Sequence, residues 1–164
     1  QDKIHNLLRQ TGPALSPFNA WILLKSLETL PLRVNQQMQS AVRLADYLAE
    51  KNGIKRVLYP ALPSDPGHQI WRRDFAGASG LMGIAFRKSS EAAMAAMIDG
   101  MEIFALGFSW GGFESLIAPA NPIRTARPWP EPVPGIRLHI GLEDPQDLIA
   151  DLERGLARFR TALG

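Results

Sequence analysis

The stretch IRLHIGLEDPQDLIADLERGL, Ile136 to Leu156, changes its hydrophobic period halfway along. Up to Ile140 it alternates: Ile136, Leu138 and Ile140 fall on one side, Arg137 and His139 on the other. Alternation is the pattern of a strand with one buried face. From Asp144 the apolar residues recur at helical steps, as Leu148, Leu152, Leu156, Phe159 and Leu163. Asp144-Pro145 is a helix start, with a capping carboxylate before a proline whose missing N–H costs nothing in the first turn. A strand that runs straight into an amphipathic helix buries both apolar sides most simply by folding one onto the other. A sheet with helices against one face follows, and Arg137 and His139 are left on the opposite face.

The upstream chain fits that plan. Ser16 caps a helix whose first position is Pro17, and Pro31 should kink or interrupt it. Val34, Met38, Ala41, Ala45 and Leu48 continue at helical steps to a stop at Asn52-Gly53. IKRVLYP (54–60) and GLMGIAF (80–86) read as strands, separated by the proline-rich turn PALPSDPGH. Ser90 starts a helix with Met94, Met97, Ile98 and Met101 on one side, and IFALGFSW (103–110) reads as extended. A proline-rich irregular loop, ANPIRTARPWPEPVPG (120–135), precedes the last strand. The expected fold class is α+β: a long helix leading into a small, mostly antiparallel sheet with helices packed on one side.

Composition removes several function classes. The net charge of +2 is too small to favour nucleic acid or an anionic membrane. With no cysteine, disulfides, thiolate metal sites and a cysteine nucleophile are excluded, and a cytoplasmic location is the compatible expectation. No apolar run approaches the roughly 18 residues that span a bilayer. His5, His68 and His139 lack metal-ligand spacing, and no phosphate-cradling G-x-x-x-x-G-K occurs.

One short motif points elsewhere. Gly107-Phe108-Ser109-Trp110-Gly111 is a G-x-S-x-G, the pattern of a serine-hydrolase nucleophile elbow. Its context is wrong. The sole histidine after Ser109 is His139, inside an expected strand; Glu131, the one carboxylate between Glu114 and His139, sits in the proline-rich loop. No glycine-rich turn upstream completes an oxyanion hole.

A longer pattern is more specific. SWGGFESL, Ser109 to Leu116, followed by IRLHIGLEDPQDLIADLERGL, resembles the C-terminal part of the cystathionine β-lyase and γ-synthase family of pyridoxal-phosphate enzymes. LSPFNAWILLKSLETLPLRV, YPALPSDPGH and RDFAGASGL are similar to family segments in the same order, so the resemblance covers nearly the whole chain. Ser109-Trp110-Gly111-Gly112 looks like the variant of this segment found in bacterial β-lyases. The resemblance implies the C-terminal domain of an aspartate-aminotransferase-type fold. It also implies α,β-elimination of L-cystathionine to homocysteine, pyruvate and ammonia, with γ-synthase or γ-lyase chemistry as the alternative within the family.

It also implies roles for three residues. Arg137, in the family's R-x-x-[IV]-G-x-E segment, would hold the substrate α-carboxylate, a role suited to a planar, permanently charged, two-pronged donor. By its residue type and spacing alone a solvated surface arginine is the favoured reading of Arg137, and the resemblance reverses that preference. Ser109 becomes a positioning residue for substrate, and Trp110 a pocket wall that can also be a core aromatic. Glu114 is expected to cap or pair locally.

The departure from the family is the cofactor machinery. The family's Schiff-base lysine follows Ser-x-Thr, and Lys3, Lys25, Lys51, Lys55 and Lys88 do not follow threonine. Segments matching the phosphate-binding turn, the ring-stacking tyrosine and the aspartate facing the pyridine nitrogen are not found. Residues 1–164, which begin with Gln1, are therefore expected to be the C-terminal domain of a larger enzyme, with the N-terminal and cofactor-binding domains lying outside this chain. The fragment alone is expected to be inactive and to bind no pyridoxal phosphate covalently. The expected partners are the missing domain, a small sulfur amino-acid substrate and further subunits in a homotetramer, with no nucleic acid and no membrane.

Overall fold

The computed structural model describes residues 2–12, 15–120, 122–123, 125–126 and 135–164. It divides into two compact units, residues 1–32 and 33–164. The first holds α1 (Asp2–Thr11) and α2 (Pro17–Glu28). Ser16 caps α2 as expected, its hydroxyl accepting the Asn19 N–H at 3.2 Å. Neither helix has a buried residue. Helix α2 exposes Phe18, Trp21, Leu23, Leu24 and Leu27. Pro31 marks a true interruption: α2 ends at Glu28 and α3 (Leu30–Ala49) restarts with the proline in its first turn, where its missing N–H costs nothing.

From Arg33 onward the chain forms one core around a five-stranded sheet of order β1-β2-β5-β4-β3. The strands are β1 (Ile54–Leu58), β2 (Leu81–Phe86), β3 (Ala105–Leu106), β4 (Leu116–Ala120) and β5 (Gly135–His139). Three further helices intervene or follow: α4 (His68–Asp74), α5 (Glu91–Ile98) and α6 (Pro145–Leu163). All strand pairs are antiparallel except β3 with β4. Met82, Ile84 and Phe86 of β2 join Ile136, Leu138 and Ile140 in a buried cluster. The cluster continues through Ala41, Leu44 and Leu48 of α3, Met94 and Met97 of α5, and Leu148, Leu152 and Phe159 of α6. Phe86 and Phe159 stack with ring centroids 4.4 Å apart. The α+β expectation holds, and the caps at Ser90 and Asp144 form, accepting the N–H of Ala93 at 3.2 Å and of Gln146 at 2.7 Å.

Four elements differ from the sequence expectation. Helix α1 is additional. PALPSDPGH does not stay a turn to its end: His68 opens α4, with its Nδ1 2.9 Å from the Pro60 carbonyl. The extended segment expected over 103–110 shrinks to Ala105–Leu106. An unforeseen strand, β4, lies beside β5. The proline-rich loop falls largely outside the described residues, as does Glu131. Among the described residues no helix is long and apolar enough to cross a membrane, and no cluster of three metal-ligating side chains occurs.

Candidate functional site

The register of the sheet determines what surrounds Arg137. It sits opposite Gly83 of β2 and Ala118 of β4, and His139 sits opposite Leu81 and Leu116. Small residues on both sides of Arg137 leave the outer face of the sheet open there. A cleft of about 530 Å³ results, lined by Arg137, Gly83, Ala85, Ala120, Leu58 and Phe108 among others. Arg137 is the one charged side chain in that lining among the described residues.

The loop from Gly107 to Ser115, between β3 and β4, hangs over this face. Arg137 holds its start: Nη2 donates to the carbonyls of Gly107 and Ser109, each at 3.3 Å. The guanidinium carbon also lies 5.9 Å from the centre of the Phe108 ring, within cation–π range. His139 holds the middle. Its ring nitrogens lie 3.4 and 3.2 Å from the Gly111 nitrogen, and Nε2 lies 3.2 Å from the Gly112 carbonyl. Gln37 of α3 donates to that same carbonyl at 2.6 Å. Gly111 has φ +81°, a left-handed conformation that side chains rarely adopt.

Glu143 holds the end. Its carboxylate accepts both the Ser115 N–H and the Ser115 hydroxyl at 2.7 Å, while that hydroxyl accepts the Gly141 N–H at 2.8 Å. The Leu142 N–H adds a bond to the Phe113 carbonyl at 2.8 Å. At Gly141 a Cβ would collide with the Phe113 carbonyl oxygen. The R-x-x-[IV]-G-x-E segment thus works locally as a clamp. Its arginine and glutamate pin the loop, and its glycine lets the loop approach.

A further anchor lies beneath the loop's entry. Asp151 of α6 is fully buried and accepts the N–H groups of Glu102, Ile103 and Phe104 at 2.8–3.2 Å. Arg154 adds a bond at 3.1 Å. Burial by itself would push this carboxyl up. The N–H groups of Ile103, Glu102 and Phe104, with the Arg154 charge, outweigh it and hold the group below its usual value. The sequence reading missed Asp151, Gln37 and Glu143. A signal existed for the first two: each interrupts the buried stripe of its helix.

Ser109 and Trp110 stand exposed on the same loop, and Phe108 rather than Trp110 lines the cleft. The hydrolase alternative finds no support. No helix follows Ser109 as an elbow requires, and among the described residues its hydroxyl bonds to no histidine or carboxylate. His139, the sole histidine after Ser109, is committed to Gly111 and Gly112.

Known proteins resemble this chain over most of its length. It is 44% identical over 147 residues to a putative cystathionine beta-lyase of Rhizobium johnstonii, covering 87% of this chain and 37% of that protein. It is 42% identical over 154 residues to cystathionine beta-lyase of Escherichia coli, covering 90% and 39%. A crystal structure of cystathionine gamma synthase from Xanthomonas oryzae pv. oryzae, in complex with aminoacrylate and cysteine, superposes with a TM-score of 0.80 at 31% identity, covering 99% of this chain and 44% of that one. The chain thus spans less than half the length of these relatives. The model of the Cys/Met metabolism PLP-dependent enzymes matches residues 1–157, and the chain belongs to that family.

Proposed function

We propose that this chain is the C-terminal domain of a pyridoxal-phosphate-dependent carbon–sulfur lyase that cleaves L-cystathionine to homocysteine, pyruvate and ammonia. The observation that carries the reading is Arg137, the one charged side chain among the described residues on the lining of an open cleft, tied to the loop that bears Ser109-Trp110-Gly111-Gly112. The β-lyases among its relatives support the choice of substrate. The likeness to a γ-synthase structure keeps γ-substitution as the second reading, and Trp110 favours the first.

In this reading the chain contributes binding. Arg137 takes the α-carboxylate of the amino acid. Because Nη2 already serves two carbonyls, a two-pronged grip requires it to give up one of them, so substrate entry and the set of the loop are coupled. Ser109 and Trp110 close over the bound substrate. The bound cofactor supplies the electron sink in such chemistry. Its covalent seat is assigned outside this chain, a reading supported by Lys3, Lys25, Lys51, Lys55 and Lys88 not being among the described residues that line the cleft. The lysine belongs to the rest of the enzyme, against which the apolar side chains of α2 are proposed to pack. The same reading expects a cytoplasmic homotetramer.

Two measurements test it. Pyridoxal phosphate mixed with this chain, then reduced with borohydride, should label no single lysine stoichiometrically; such labelling would refute the division of labour. The complete enzyme should release pyruvate from L-cystathionine. Replacement activity on an acylated homoserine without pyruvate release would transfer the reading to γ-synthase.

A further inference from the structure

His139 has a second nitrogen to account for. The Gly111 N–H points at the ring, 3.2 to 3.4 Å away, and finds its acceptor there among the described residues. An imidazolium carries a hydrogen on each nitrogen and has no lone pair to offer. One ring nitrogen must therefore be bare. If Nε2 were the bare one, its lone pair would face the lone pairs of the Gly112 carbonyl at 3.2 Å. If Nδ1 is bare, it accepts from Gly111 while Nε2–H donates to Gly112, and both glycines are satisfied. Either neutral tautomer leaves Gly111 an acceptor on the ring, 3.2 Å away at Nε2 or 3.4 Å away at Nδ1, and the Nε2–H form also gives the Gly112 carbonyl a donor. The ring is buried, and the Gly112 carbonyl is shared with Gln37 from α3.

The consequence reaches Arg137. His139 and Arg137 project from the same face of β5, two residues apart, and they grip the middle and the start of one short loop. At the His139 grip the backbone turns through the left-handed Gly111. If the Gly111-Gly112 grip is released, the carbonyls of Gly107 and Ser109 are no longer held in place for Nη2, and the guanidinium loses its orientation.

We propose that His139, as a neutral imidazole, is a positioning residue that fixes the 107–112 loop against Arg137 and so presets the carboxylate grip; its bearing on substrate rests on the Arg137 reading above. The test compares wild type with His139→Leu, which fills the space without polar atoms, and His139→Gln, whose carboxamide again offers one acceptor and one donor. In the 164-residue chain at neutral pH, nitrogen NMR should show one protonated and one bare ring nitrogen. Gly111 amide exchange should be about 2- to 10-fold faster in the leucine variant, the worth of one hydrogen bond. The glutamine variant should restore it, and Ile84 in β2 should stay protected in both, reporting an intact sheet. In the complete enzyme, His139→Leu should raise KM for amino-acid substrates about 10-fold with kcat within about threefold, and His139→Gln should recover most of that. The proposal is overturned by a doubly protonated ring at neutral pH, by unchanged Gly111 exchange in a folded leucine variant, or by an unchanged KM. Normal substrate binding in Arg137→Ala would instead sink the carboxylate reading, while the Gly111 exchange would still decide whether His139 holds the loop.

Discussion

The two faces of β2 and β5 carry opposite kinds of side chain on the same backbone. The covered face presents Met82, Ile84, Phe86, Ile136 and Leu138, all nearly inaccessible. The open face presents Leu81, Gly83, Ala85, Gly135, Arg137 and His139. The first set is interchangeable in kind, since any well-fitting apolar side chains would build the same layer. The second is particular. Small residues make room, and two polar side chains direct their hydrogen bonds to a loop rather than to a helix.

The largest expected effect tests the covered face. Leu138→Ala deletes a fully buried side chain and should cost about 2–5 kcal/mol in urea denaturation of the chain. Phe108→Ala, on a residue 72% exposed beside the open cleft, should stay within about 0.5 kcal/mol. Equal losses at the two positions would break the comparison.

The next effect reverses the roles. In the complete enzyme Arg137→Lys keeps the charge and loses the fork, and should lower kcat/KM about 10- to 100-fold. Arg137→Ala should cost more, on every amino-acid substrate, since the carboxylate is common to them all. Stability should change by less than about 1 kcal/mol in either variant. A folded Arg137→Ala enzyme with near-normal kcat/KM on cystathionine would make this arginine an ordinary surface residue.

The covered face was legible in the sequence, and the open face in part. Periodicity gave β2, β5 and the stripe of α6, and the serine and aspartate caps fell where their hydroxyl and carboxylate chemistry predicts. Arg137 and His139 were correctly placed opposite Leu138 by alternation alone. The loop was not legible, because its geometry is imposed from far along the chain. Asp151 gathers three successive N–H groups before β3, while Arg137 and His139 hold the chain beyond Gly107, whose N–H makes the last ladder bond to Ile117, so an apparently extended segment keeps two strand residues. β4 was hidden by Pro119, which argues against an interior strand. It is tolerated because β3 reaches only Leu116 and Ile117, so that among the described residues no strand pairs with Pro119 on that side. The glycine at 141 could be read as a family letter, but its cause, the Phe113 carbonyl, lies 28 residues upstream.

Asp151 sharpens the comparison from the covered side, as the charged group buried within it. Asp151→Asn keeps one acceptor and loses the charge, and should cost about 1–3 kcal/mol at pH 7. Its folded-state carboxyl is held below the ordinary value. Its contribution is therefore complete above about pH 4, the unfolded value, and is lost as the pH falls through the lower folded one. The difference between wild type and Asp151→Asn should narrow in acid. A constant difference down to about pH 2 would mean that the N–H groups, not the charge, set the effect.

Tyr59 is the smallest and most discriminating case. Its ring belongs to the covered core, and its hydroxyl donates to the Ser79 carbonyl at 2.8 Å, just ahead of β2. Tyr59→Phe removes one hydrogen bond and almost no apolar area, so about 0.5–1.5 kcal/mol is expected, well under the cost at Leu138. Burial pushes the Tyr59 hydroxyl up to about 12, against about 10 when unfolded. A raised folded value means stability fully present below about pH 10 and lost as the pH climbs from there toward about 12, because the unfolded chain ionises first. Wild type should lose stability over that window faster than Tyr59→Phe, and the tyrosinate absorbance that Tyr59→Phe removes should appear only as the pH approaches about 12. Ionisation of Tyr59 near the ordinary value of about 10 would show that its hydroxyl reaches water, and that the covered face is open at its β1 edge.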